Sequence, residues 1–404
     1  TPTPSPPLHH PPGLPAPMDI REYRGHRPES VTASWTRRRG WGASGKEVAK
    51  RWPGAARFLA SAFLPVGYPD SVTADYAAFQ VWDTVQAICS YVRGMLSTKA
   101  LLEGIGVGED TATPLGATFQ WFLRDVSGML AGVSFALLQG SSFDARAKQW
   151  RLFADCANNV GLLLHLAAPV VPELFMLLAC LGSICHALTG VAAGASRMAL
   201  TQHFARRGNS ADIASKEGSQ ETVTTLVGMV VGMGLTKATS DSVPLLWASF
   251  LLLTALHVFS NVRAVRALRL TSLNAERARL VVEEYLEEAE VLDPTEANKR
   301  ESLLPLRSSP GPRVVMGARV SQLLAGSGGG DADAVLAALV RAAQGEGLPY
   351  IVYVPEGGRE VRVVLHRARD GPEEQLQAYV HALVVSWFLT EADYTGDAAR
   401  AQGM

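Results

Sequence analysis

Long runs without a charge limit what this chain can become. Val126 to Phe143 carries none, nor does Ser242 to Val262, and between Asp155 and Arg197 the only charged residue is Glu173. About 20 apolar residues suffice for a helix to cross a bilayer. The third run is too long for one such helix and suits two, turned at Pro169 and Pro172. Thr222 to Thr236 is another uncharged run, set directly behind the polar cluster SKEGSQE at Ser215–Glu221. Weaker helical patterns precede these. Six spans are expected, at about 77–103, 113–139, 150–168, 174–196, 219–236 and 243–262.

The placement of basic residues gives an independent reading. Membrane proteins keep Lys and Arg in short loops on the side that is not translocated. With six spans, one side holds Arg146, Lys148 and Arg151, then Arg206, Arg207 and Lys216, then Arg263, Arg266 and Arg269. The opposite loops, EGIGVGEDTAT, APVVPE and KATSDS, contain Lys237 as their only base, with Lys99 just inside the first span. The chain is 19% charged, against about 25% in soluble domains. Its net charge of −1 gives no bulk pull toward nucleic acid. The expected fold is mainly α: a polytopic helical membrane bundle, shaped like half of a carrier, then a small α+β domain. A soluble bundle of buried helices is the alternative.

Polar groups recur on single faces of the expected spans. Asp83, Gln86, Ser90, Arg93 and Ser97 share one face of the first. Asp155, Asn158 and His165 align in the third, His186, Thr189 and Arg197 in the fourth, and Thr254, His257 and Asn261 in the sixth. Ionisable groups at membrane depth face a bundle interior or a wet cavity. Two readings are open: the groups line a cavity for a small anionic ligand, or they pair as structural glue. In the first, Arg93 is the anchor, because its fork grips phosphate or carboxylate bidentately. Arg124 is the candidate partner of Asp83, and Asp125 or Asp155 that of Arg93.

The polar cluster is read as the aqueous rim of a span. Ser219 is expected to cap that helix and Glu221 to sit in its first turn, near the positive end of the dipole. Two GxxxG patterns, Gly190–Gly194 and Gly228–Gly232, permit close helix contact and self-association.

The flanks read differently. TPTPSPPLHHPPGLPAP has eight prolines in 17 residues and is expected to be disordered. Residues 19–57 hold ten Lys/Arg against four acids, and the whole of 1–57 is read as an unstructured leader. The chain does not begin with Met, so a longer natural start is expected. The bundle is placed at 58–294, a linker at 295–330 around GSGGGDAD, and the α+β domain at 331–404. In that domain ADAVLAALVRAAQ and PEEQLQAYVHALVVSWFL read as helices, YIVYVP and EVRVVLH as strands. The four cysteines lack CxxC spacing and read as small core residues; no metal site is expected. There is no Walker A loop, GxSxG or HExxH, and no lysine in a setting for pyridoxal phosphate catalysis. No enzyme activity and no cofactor are expected.

Several blocks resemble the root UVB sensitive family: FLPVGYPDSVTADYAAFQVWDTVQA, AKQWRLFADCANNVG, GASRMALTQHFARRGNSADIASKEGSQETVTTLVGM and TSLNAERARLV. They run in order from about Phe63 to Pro294. The resemblance implies a membrane-associated protein linked in plants to root UV-B responses, early seedling development and vitamin B6 homeostasis. It implies a plastid setting and pairing with itself or another member, and supplies no catalytic residue. The functional expectation is a dimeric carrier with a vitamin B6 species as candidate ligand. A non-transporting scaffold for a UV-B or vitamin B6 signalling complex is the alternative.

Overall fold

A computed structural model of the chain describes residues 19–23, 31–36, 40–42, 54–106, 114–303, 311–324, 332–355, 358–366 and 371–395. The proline-rich 1–17 lie outside the described residues. Within the expected leader, β1 (Asp19–Tyr23), β2 (Val31–Thr36) and β3 (Gly40–Gly42) form an antiparallel meander in that order. These three segments of the expected leader are extended strands, while the rest of 18–53 lies outside the described residues. Alternation such as VTASWT favours extended backbone once a neighbour supplies the hydrogen bonds.

The helices are α1 (Gly54–Phe63), α2 (Tyr76–Gly104), α3 (Pro114–Gln139), α4 (Ala147–Ala167), α5 (Phe175–Phe204), α6 (Ser210–Ala238) and α7 (Val243–Ala267). The shorter α8 (Ala275–Glu288) and α9 (Pro294–Arg300) follow. After them come β4 (Arg313–Met316), α10 (Val320–Leu324), α11 (Ala332–Gly345), β5 (Tyr350–Tyr353), β6 (Glu360–Leu365) and α12 (Pro372–Thr395).

Six long helices, α2 to α7, cover the six expected segments, with α3, α5 and α7 centred on the charge gaps. The shortest, α4, has 21 residues, about 31 Å at 1.5 Å per residue. Only three are both long and apolar enough to cross a bilayer: α3, the segment Pro172–Phe204 containing α5, and α7. Their apolar stretches are barely covered by protein, with 6%, 11% and 17% of residues buried. The others reach the length but carry charges, such as Asp83, Arg93 and Lys99 in α2 and Lys148, Arg151 and Asp155 in α4.

Helix α6 begins earlier than expected, at Ser210, because nothing in SADIASKEGSQET breaks a helix. Ser219 is thus not a cap: its hydroxyl donates to Ser215 O within the helix. Glu221 lies beyond the first turn. The polar turns of α6 hold the end of α1 and the turn behind it. Lys216 donates to Ser61 O at 2.6 Å, Gln220 to Phe63 O at 2.6 Å, and Asp212 accepts from Val66 N–H at 2.7 Å.

The chain forms two compact units. The first comprises 1–125, 159–182 and 197–264, the second 126–158, 183–196 and 265–404. In the first, α6 lies along α2, and its two glycines allow it. A Cβ on Gly228 would sit 2.6 Å from Tyr91 Cβ, and one on Gly232 would sit 2.5 Å from Met95 Sδ. Leu96, Ala100, Leu162, Leu166 and Phe250 form the core beside this contact. Gly228→Leu is expected to force the helices apart and destabilise the chain by about 1–3 kcal/mol. Thermal unfolding of the purified protein checks this, with Gly190→Leu, at an open position, as the comparison.

In the second unit, Phe135, Phe143, Trp150 and Phe153 pack ring against ring at 5.0–5.9 Å. The carboxyl-terminal sheet has the order β4-β6-β5, with β4 parallel and β5 antiparallel to β6. Its core is Tyr350, Val361 and Val363 against Ala378, Ala382 and Leu389 of α12. The expected helices and strands of this domain are present. Part of the expected linker, however, is structured: α9 lies in it, and β4 supplies an edge of the sheet. RVVM is too short to show alternation, so only its pairing with β6 reveals it.

Candidate functional site

Arg93 lies fully buried on α2. A guanidinium can only donate, so its neighbours must accept. One terminal nitrogen donates to Asn159 Oδ1 at 2.6 Å and to Thr254 Oγ1 at 3.1 Å, and Nε donates to Cys89 O at 3.3 Å. The guanidinium carbon stands 5.8 Å from the Phe250 ring centroid, within cation–π range. One turn on, Ser97 donates to Leu162 O at 2.9 Å. Arg93 thereby ties α2 to α4 through Asn159, which the sequence reading does not single out, and to α7 through Thr254, which it places on a polar face.

The other polar-face residues distribute as follows. Gln86, His257 and Asn261 are buried, with His257 at 0% exposure. Asp83 and Asn158 are half-buried, as is His186 in the second unit. His165 contacts Ala179 O through Nε2 at 3.1 Å. Arg124 meets its neighbour Asp125 at 2.7 Å and lies over the Trp121 ring at 3.6 Å; Asp125 is exposed. Asp155 stands 3.6 Å from Arg151, one helical turn away.

A polar mouth gathers where α2, α5 and α6 end. Glu217 accepts from Gln80 at 3.0 Å and from Thr201 at 3.0 Å, while Glu221 pairs with Arg197 at 2.8 Å in the open. His203 and Asp75 stand 3.0 Å apart.

The two GxxxG patterns part company. Gly228 and Gly232 are consumed within the chain by Tyr91 and Met95, whereas a Cβ on Gly190 or Gly194 would meet nothing within 4 Å.

Sequence reasoning missed the most saturated cluster, in the second unit. Glu301 has a side chain at 0% exposure and receives Lys148 Nζ at 3.1 Å and Arg277 at 2.8 Å on each oxygen. Asn274 adds a donor at 2.7 Å, and Asn298 joins Lys148 at 2.5 Å to the Leu270 backbone. Burial by itself would raise the Glu301 carboxyl, but Lys148 and Arg277 outweigh it, so the acid is held below its usual range. AKQWR and SLNAER carry Lys148 and Arg277 among other polar residues, and nothing near them in the sequence named Glu301 as their partner. Among the described residues no group of three His, Cys, Asp or Glu is placed to hold a metal.

Comparison with known proteins accounts for both halves. Residues 49–289 match the family model described as a vitamin B6 photo-protection and homoeostasis domain, and residues 290–403 match the root UVB sensitive protein C-terminal model. Protein root UVB sensitive 3 of Arabidopsis thaliana is 44% identical over 84% of this chain and 77% of its own length. RUS family member 1 of Dictyostelium discoideum is 42% identical over 64% of this chain and 50% of its own. Protein root UVB sensitive 2, chloroplastic, from Arabidopsis is 31% identical over 60% of this chain and 55% of its own. No solved structure matches. Two consecutive family models and these identities lead to one conclusion: the chain belongs to the root UVB sensitive family.

Proposed function

We propose that this chain is an integral membrane protein acting in vitamin B6 homeostasis and the UV-B response, with α2 to α7 as six spans. In this reading it is one half of a two-chain carrier for a small anionic ligand, a vitamin B6 species being the candidate. It works in a lipid bilayer beside a second copy or another family member, without a reaction or cofactor of its own and without nucleic acid. A plastid membrane is the proposed setting, supported by the relative named chloroplastic.

The observation that carries the reading is the inversion of polarity within the first unit. Arg93, Gln86 and His257 are buried, while Leu226, Val230, Leu251 and Leu252 are 56–72% exposed. Water would reverse that arrangement; lipid favours it. The open Gly190–Gly194 face supports pairing.

Topology is tested first. With the native cysteines replaced, Arg207→Cys and Ser240→Cys flank α6 and are expected to label from opposite sides. Equal accessibility means that α6 does not cross, and the six-span reading is lost. Cargo is tested by flux of labelled pyridoxal species into proteoliposomes.

A second reading has its own support. The guanidinium of Arg93 is answered inside the chain by Asn159, Thr254 and Cys89 O, as expected of structural glue in a non-transporting scaffold that assembles a signalling complex. Absence of flux, with intact insertion, favours that scaffold.

A further inference from the structure

A cleft of about 590 Å³ opens in the second unit, a size that suits a small molecule. Among the described residues its charged lining is unbalanced: Arg146, Arg279, Arg313 and Arg359 face one carboxylate, Glu276. Arg279 is already engaged by Glu283, and Glu276 by the Ser302 N–H at 2.6 Å. Arg146, Arg313 and Arg359 make no ion pair among the described residues. Arg313 and Arg359 are held together by the backbone, since Arg313 N–H donates to Arg359 O at 3.0 Å where β4 meets β6.

Like charges gathered around one concavity repel, and a bound anion relieves that repulsion while using the guanidinium forks. The remaining wall is organic in character. Pro312, Val314, Leu383 and the Tyr379 ring line it. Gln149 is buried there; its amide donates to Ser302 O at 2.9 Å, and its Oε1 has no partner among the described residues. That leaves one acceptor on the wall for a ligand hydroxyl. The backbone at Gly311 is also committed, with φ of +96° and a Cβ position blocked by Thr390.

We infer that this cleft binds a phosphate monoester carried on a small organic body. Among the described residues no lysine lines it, and the binding inferred is non-covalent. The cleft stands on its own geometry; the vitamin B6 reading enters only in the choice of probe.

The test uses the full chain in phosphatidylcholine nanodiscs, with binding measured by calorimetry. Pyridoxine 5′-phosphate is expected to bind at least about tenfold more tightly than pyridoxine, with inorganic phosphate competing, because charge-assisted hydrogen bonds are the stronger class. Arg313→Gln and Arg359→Gln are each expected to weaken it by at least about tenfold. Both residues are exposed, and only their backbones serve the sheet. Arg341→Gln, an equal loss of charge on α11 away from the cleft, leaves affinity unchanged.

A second arm adds phosphatidic acid to the nanodiscs. If it displaces pyridoxine 5′-phosphate, and the two cleft variants lose that displacement, the phosphate is a lipid headgroup and the assigned chemistry stands. If neither phosphate source binds, or binding is indifferent to both cleft substitutions, or pyridoxine binds equally well, the inference is overturned. Absent flux with binding intact sinks the carrier and leaves the cleft in place.

Discussion

Glu301→Gln is expected to destabilise the protein by about 3–5 kcal/mol, since removing one partner of a buried ion pair strands the others. Lys148 and Arg277 are 1% and 4% exposed at the side chain, so neither reaches water without local unfolding. The readout is thermal unfolding and steady-state abundance. A triple change, Lys148→Met, Arg277→Met and Glu301→Leu, is expected to recover most of the loss, because apolar residues of similar volume replace a buried ion cluster at little cost. A loss under 1 kcal/mol in Glu301→Gln would show that water enters the cluster. Acid supplies a second check. A carboxyl held below its unfolded value stabilises the fold above about pH 4.3, and that contribution disappears as pH falls through the folded pKa. The Gln variant therefore lacks the acid limb that this group gives the parent protein.

The second large effect is at Arg93. Arg93→Gln is expected to lower stability by about 3 kcal/mol, because charge-assisted bonds to Asn159 and Thr254 are lost in a buried setting. Arg93→Lys keeps the charge and loses the fork. A Lys ammonium is compact and cannot reach Asn159, Thr254 and Cys89 O in the same geometry. If the residue is a structural tie, both variants lower abundance, Gln more than Lys, and flux per molecule is preserved. If it anchors a ligand, Arg93→Lys inserts at normal abundance and fails in flux. Full abundance and full complementation by both variants would remove Arg93 from either role.

The long helices were legible because charge spacing is a local property, and a charge gap of this length has few uses. The sheet strands β5 and β6 were legible for the same reason: their β-branched and aromatic content is read within a few residues. Partners were not legible. Arg93 meets Asn159 and Thr254, which are 66 and 161 residues away, and helix periodicity fixes only which face a residue occupies. The glycine patterns show the same limit. Both GxxxG pairs have equal spacing, yet only Gly228 and Gly232 find Tyr91 and Met95 opposite them. Ser219 does not cap its helix because the start of an uncharged run does not mark the start of a helix; the N-cap position is Asn209, ten residues upstream.

The Glu301 cluster also imposes a schedule on biosynthesis. Lys148 contacts Asn298 across 150 residues. At a ribosomal rate of about 5–20 residues per second, those residues take about 8–30 s to emerge. For that interval α4 carries a cation that has yet to meet Glu301. The amino-terminal part of α4 cannot complete its final burial during this wait, so it is exposed to chaperones for longer than its neighbours. A stop codon before Glu301 turns that wait into a permanent state, and quality control is then the natural fate of the shortened chain.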